Sequence, residues 1–138
     1  MPMWQSGTYR NVMHYLSNYE GKQMITPVAV EERLLGLSYQ IDISQEQLSE
    51  AEMIYHRRKI SFEIAIARSR LAFGLGKMKL RVGEIADMAL IDCEAEYVSL
   101  QTAEAIVKAA RANANRLRTQ VDIVRSIGTS VRASMEAL

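Results

Sequence analysis

Residues 26–62 read TPVAVEERLLGLSYQIDISQEQLSEAEMIYHRRKISF, and the spacing of apolar residues in this stretch decides the fold. One apolar set recurs every seven residues and a second set accompanies it: Leu34, Ile41, Leu48, Tyr55 and Phe62, with Val30, Leu37, Ala51, Ala65 and Ala72. This spacing predicts one long helix whose apolar seam packs against another helix. The pair Thr26-Pro27 is typical of a helix start. A capping-box pattern from Ser44 to Gln47 predicts a kink or restart near residues 42–44.

Gly74 and Gly76 mark the clearest break in this pattern, because glycine readily ends and turns a helix. The pattern resumes at about Val82, and Gly128 is expected to begin a fraying end. The apolar positions of this second half are Ala86, Cys93, Leu100, Val107, Ala114 and Val121, with Ala103, Ala110, Leu117, Val124 and Val131. We therefore predict an all-α fold, a long antiparallel, coiled-coil-like helical hairpin over residues 26–138 with its turn near 74–80.

An aromatic-rich arm, residues 1–25, precedes the predicted hairpin and is expected to form a short helix from Thr8 to about Tyr19. It holds four of the nine aromatic residues: Trp4, Tyr9, Tyr15 and Tyr19. A slender hairpin leaves apolar surface uncovered, so the arm is expected to fold onto its own hairpin or onto a neighbouring subunit. We therefore predict a homo-oligomer in which these aromatic residues make contacts.

The net charge of +1 conceals large blocks of opposite sign. The blocks carry +1 over residues 1–30, −5 over 31–52, +7 over 53–81, −6 over 82–107 and +4 over 108–138. Antiparallel pairing brings opposite signs together, whereas parallel pairing brings like signs together. Each exposed pair contributes only about 0.2–1 kcal/mol, so the orientation is favoured by the sum of many pairs.

Composition and motifs narrow the class of protein. No run of about 18 apolar residues suits a membrane span, the polar start lacks a signal peptide, and the single Cys93 is expected to be a small core residue. These features predict a soluble cytoplasmic protein. His14 and His56 lie far apart, and the segment 74–77 lacks the spacing of a phosphate-binding loop. We therefore expect no catalytic residues, cofactor or metal; the acids at 92, 94 and 96 alternate in direction along a helix and favour a solvated face.

The basic turn is the strongest candidate site. It contains five cations between residues 68 and 81, a stretch without any acid: Arg68, Arg70, Lys77, Lys79 and Arg81. Such a cluster attracts phosphate, with binding that depends on salt and little on sequence, and Phe73 is a candidate surface for base stacking. The alternative is that Arg68 and Arg70 pair with Glu84 and Asp87 while the lysines keep the turn soluble.

A second candidate is the arginine stripe, four residues spaced by sevens: Arg111, Arg118, Arg125 and Arg132. In an oligomer this stripe is expected to line a basic channel. The alternative is that these arginines flank the coiled-coil seam and meet acids of the facing helix or of another subunit, namely Glu32, Glu46 and Glu50.

Residues 64–73 read IAIARSRLAF and lead into Gly74 and Gly76. This segment resembles the DNA-binding motif of the UvsY recombination mediators of T-even-type phages, in which a basic pair two residues apart precedes leucine and an aromatic residue, then glycine. Arg68 and Arg70 match the basic pair, with Arg in place of Lys at the first position. Leu71 matches the leucine and Phe73 the aromatic residue. Residues 117–132 also resemble the helix that closes that family's small helical domain.

The resemblance implies a small non-enzymatic protein that forms a ring-like homo-oligomer and binds single-stranded DNA. It further implies that the protein helps to load a RecA-like recombinase while displacing a single-strand-binding protein. The alternative reading is a helical structural or adaptor protein, such as a phage assembly chaperone or an inhibitor, whose hairpin docks a protein partner.

Overall fold

The computed structural model describes residues 25–76 and 79–137, and within these ranges the chain is all-α, as predicted. Helix α1 spans Pro27–Gly74, α2 spans Val82–Asp92 and α3 spans Glu94–Glu136. The aromatic arm with Trp4, Tyr9, Tyr15 and Tyr19 lies outside the described residues, as does Lys77.

Helix α1 begins where the sequence predicts. The Thr26 hydroxyl accepts a hydrogen bond from the amide of Ala29 at 3.2 Å, and Pro27 occupies the first helical position. The predicted restart near residues 42–44 is wrong, because α1 continues without interruption to Gly74, whereas the kink near these residues stays a prediction. Ser44 is buried in the seam, and its hydroxyl donates to the carbonyl oxygen of Ile41 at 2.8 Å. An internal hydrogen bond therefore satisfies the side chain that the pattern assigned to a helix cap.

The second half of the chain is divided at Cys93, where the sequence predicts a single helix. Cys93 has φ −101° and ψ 27°, outside helical geometry. The hydrogen bonds nevertheless continue across it, from the Cys93 amide to the Ala89 carbonyl at 3.0 Å and from the Tyr97 amide to the Cys93 carbonyl at 2.9 Å. The irregularity is therefore confined to one residue between α2 and α3. Cys93 itself is buried, which confirms the predicted core position.

Packing divides the chain into two units, which we describe separately. Unit 1 combines the described residues up to Ser44 with those from Asn113 onward. Val30 faces Gly128, and Ile41 shares a groove with Val121. Residues later in α1 therefore pair with residues earlier in α3, which means that the two segments run antiparallel. The core of this unit consists of Val30, Leu37, Leu117, Ile123, Val124 and Ile127. Gly128 is buried here and α3 continues to Glu136, so the predicted fraying from Gly128 is wrong.

Unit 2 comprises Gln45–Ala112 and is also antiparallel. Its pairs across the two segments are Glu52 with Arg111, Phe62 with Tyr97 at 5.7 Å between ring centroids, and Ser69 with Asp92. The buried cluster Ile66, Ala89 and Cys93 is covered by Phe62, Ala65 and Phe73.

The α1 seam in unit 2 departs from the predicted sevenfold spacing after Phe62. Ile66 and Ser69 are buried and Phe73 is half-buried, whereas Ala72, a predicted seam residue, is exposed. An α-helix has 3.6 residues per turn, so a strict repeat of seven drifts by about 20° per heptad. A step of four residues from Phe62 to Ile66 corrects the drift and keeps the seam on one face.

Candidate nucleic-acid interface

The basic turn lies in unit 2, at the end of α1 and before α2. Arg68 and Arg70 belong to the last two turns of α1, and Lys79 and Arg81 lie in the segment that leads into α2. The side chains of all four are exposed. The helix ends at Gly74, after which the Leu75 amide donates to the Leu71 carbonyl oxygen at 3.0 Å. The fold therefore places four cations in water at one end of this unit.

Arg68 and Arg70 leave α1 on different sides of the seam. Ser69 between them is buried, and each neighbour is rotated by about 100° from it. Ser69 donates a hydrogen bond to the carboxylate of Asp92 at 2.7 Å, which fixes this turn of α1 against the end of α2. A phosphate chain that contacts both arginines would therefore have to cross from one side of α1 to the other.

None of these four cations is neutralised by an acid in the described parts of the chain. The ion pairs within 4.0 Å there are Lys108 with Glu104 and Arg111 with Glu52. The alternative pairing of Arg68 and Arg70 with Glu84 and Asp87 is therefore not formed. Glu84 instead accepts a hydrogen bond from the backbone amide of Arg81 at 3.4 Å, which caps the start of α2. No acid among the described residues therefore competes with an external anion for these four cations.

Phe73 is placed differently from the cations. It is half-buried and packs against the cluster of Ile66, Ala89 and Cys93. Its ring has one side committed to the core, so only part of it is accessible to a base. Leu71, which the family motif also includes, is 66% exposed.

The arginine stripe is divided between the two units. In unit 2, the guanidinium of Arg111 lies 3.3 Å from the carboxylate of Glu52. This acid is not one of the three, Glu32, Glu46 and Glu50, that the sequence suggests as partners. In unit 1, Arg125 lines an open groove with Glu31 and Leu34, and Arg118 and Arg132 are exposed. These three arginines, Arg118, Arg125 and Arg132, have no acid within 4.0 Å among residues 25–76 and 79–137.

The described residues contain neither a candidate metal site nor a candidate membrane span. No group of three or more His, Cys, Asp or Glu side chains there is arranged to hold a metal ion, and no helix there has both the length and the apolar content to cross a membrane. Burial raises the pKa of the Cys93 thiol above its usual value. The charges of Glu96 and Asp92 add to this effect, and the neighbouring Ser69 hydroxyl lowers the pKa and so opposes it. The thiol is therefore protonated near neutral pH and is a poor nucleophile.

Sequence reasoning missed two polar contacts of this unit. The bond from Ser69 to Asp92 joins residues 23 positions apart, and a serine inside an apolar seam carries no signal for its partner. The pair Glu52 and Arg111 follows from the general charge pattern, but the particular acid depends on the register of the two helices.

Comparisons with known proteins add no relative. Neither protein-family models nor curated proteins nor solved structures give a match to this chain.

Proposed function

We propose that this protein is a non-enzymatic, single-stranded-DNA-binding recombination mediator that acts as an oligomer and assists the loading of a RecA-like recombinase. The observation that carries the proposal is the basic turn, of which Arg68, Arg70, Lys79 and Arg81 are exposed and have no acid within 4.0 Å among the described residues. The resemblance of residues 64–73 to the UvsY motif supports the choice of DNA and of recombination.

The proposed mechanism is electrostatic and mechanical. The basic turn holds the phosphates of a flexible strand, and several turns in one oligomer bind the same strand with far greater avidity than a single turn. Because Arg68 and Arg70 emerge on different sides of α1, a strand bound to both bends as it crosses the helix. Bending of this kind weakens the grip of a single-strand-binding protein on the strand and lets the recombinase load.

The test is fluorescence anisotropy of a labelled oligothymidine over a range of salt concentrations. The double variant Arg68→Ala/Arg70→Ala is expected to bind at least about tenfold more weakly at low salt, since it removes two phosphate contacts. The slope of log affinity against log salt is expected to fall by about 0.7 per lost contact.

The matched control is Arg58→Ala/Arg116→Ala. It removes the same charge from two exposed positions outside both candidate sites that have no acid within 4.0 Å among the described residues, and it is expected to keep nearly wild-type affinity and slope. Equal losses in the two double variants would show that the basic turn is not the binding site. A wild-type protein that fails to bind the oligonucleotide at low salt would refute the proposal and favour the adaptor reading.

A further inference from the structure

Helix α1 carries a second apolar face in unit 2, which we call the outer stripe. It consists of Met53, Ile60, Ile64 and Leu71, each between 47 and 66% exposed. Ile64 is two residues from both Phe62 and Ile66, a rotation of about 200° from each, so the outer stripe faces away from the buried seam. Its spacings of seven, four and seven residues are those of a helix that packs on a further helix.

The partner segment of unit 2 also exposes large apolar side chains, which we call the second stripe. Ile91 in α2 and Val98 and Ile106 in α3 are 73%, 54% and 53% exposed. Their spacings of seven and eight residues also keep them on one side of the helical segment. Unit 2 therefore presents two apolar faces to solvent, one on each segment.

The charges around the two stripes are opposite. The outer stripe is bordered by Arg57 and Arg68, each within one helical turn of a stripe residue, and the segment 53–81 contains eight cations with Glu63 as its one acid. The second stripe lies within residues 82–107, which contain six acids and no lysine or arginine. Among the described residues, Glu104 is the one acid of that segment in an ion pair, so five of the six acids have no lysine or arginine within 4.0 Å there.

We propose that the outer stripe of one molecule docks on the second stripe of another copy. Two outer stripes facing each other would bring cations together, and two second stripes would bring acids together; both arrangements are repulsive. The mixed pairing joins apolar to apolar residues and positive to negative borders. Such a contact is head-to-tail and leaves one free stripe of each kind at the two ends, so assembly continues until the chain of copies closes or extends as a filament.

None of the stripe residues belongs to residues 1–25 or is a cation of the basic turn, although Arg68 borders the outer stripe. The test of the proposed interface uses one variant per stripe, Ile64→Glu and Val98→Glu, with the mass measured by light scattering. The wild-type protein is expected to exceed the 15.6 kDa monomer mass, and each variant alone is expected to be monomeric. An equimolar mixture is expected to form dimers. The intact outer stripe of the Val98→Glu variant docks on the intact second stripe of the Ile64→Glu variant, whereas the two altered stripes would bring the two introduced glutamates together and stay apart.

The matched control is Leu35→Glu, which alters an exposed leucine of unit 1 outside both stripes and is expected to keep the wild-type mass. Circular dichroism checks that each variant is folded, and Ile60→Glu replaces Ile64→Glu if the latter is not. A monomeric wild type, a stripe variant that keeps the wild-type mass, or a mixture without dimers would each overturn the proposal. The monomeric Val98→Glu variant adds no acid to α1 beside the basic turn, so its DNA affinity and the dependence of that affinity on Arg68 and Arg70 report separately on the proposed function.

Discussion

Two glycines within helices have opposite environments. A Cβ atom built on Gly128 would lie 2.9 Å from Cγ1 of Val30, whereas one on Gly36 meets nothing within 4 Å. Replacing glycine by alanine inside a helix is favourable by about 1 kcal/mol when space allows. Gly36→Ala is therefore expected to raise the free energy of unfolding by about 0.5–1 kcal/mol.

Gly128→Ala is expected to lower it, because overpacking costs about 1–3 kcal/mol and the β-branched Val30 has little freedom to rotate away. Urea denaturation followed by circular dichroism measures both changes. Stabilisation by both substitutions would mean that the helices separate easily at Gly128.

The buried thiol of Cys93 links stability to alkaline pH. Its pKa is raised in the folded protein, first by burial and then by the charges of Glu96 and Asp92. When pH rises through about 8.5, the usual pKa of a cysteine, the unfolded chain loses this proton before the folded protein does. The stabilisation is thus complete below that pH and is lost as pH rises toward the folded-state pKa.

We expect the wild type to lose more stability than Cys93→Ala between pH 8 and pH 10, since all other titrating groups are common to both. Denaturation curves across this range give the difference. A difference that does not change with pH would contradict the link.

At the scale of the helices, α2 is expected to be the least protected element of the described chain. It has 11 residues, of which Ala89 alone is buried. The α3 segment of unit 1 instead buries five apolar side chains along successive turns: Ala114, Leu117, Ile123, Val124 and Ile127. Elements with few buried apolar contacts open at lower free-energy cost.

Hydrogen exchange measured by mass spectrometry should therefore show residues 82–92 exchanging before residues 114–127. Variants within α2 provide the control: Ala89→Gly should speed exchange further in this helix and leave residues 114–127 nearly unchanged. Equal protection of the two segments would mean that α2 does not open on its own.

The helices also show what the sequence predicts and what it does not. The start at Pro27, the end at Gly74 and most buried positions follow from local signals, because caps, glycines and sevenfold spacing act within a few residues. The seam shift to Ile66 and the irregularity at Cys93 depend on how two helices fit together.

The same distinction applies to the candidate site. The cluster of cations and its distance from acids in sequence are visible beforehand, whereas the partner of Arg111 and the burial of Phe73 require the packed structure.

For the molecule as a whole, the net charge of +1 is too small to explain strong attraction of a polyanion. If the proposed function is correct, the position of the cations matters rather than their total. Salt limits the reach of an exposed charge to about 8 Å at physiological ionic strength. Glu46 and Glu50 are exposed α1 residues that precede Arg68 by about 33 and 27 Å along the helix, at 1.5 Å per residue.

Removing these two acids therefore has little effect on the potential at the basic turn. We expect Arg68→Ala/Arg70→Ala combined with Glu46→Gln/Glu50→Gln, which restores a net charge of +1, to bind oligothymidine as weakly as the arginine double variant alone. Glu46→Gln/Glu50→Gln in the wild-type background should change the affinity by less than about twofold at physiological salt, since both acids lie several screening lengths from the basic turn. Recovery of wild-type affinity in the quadruple variant would show that total charge, and not the basic turn, governs binding.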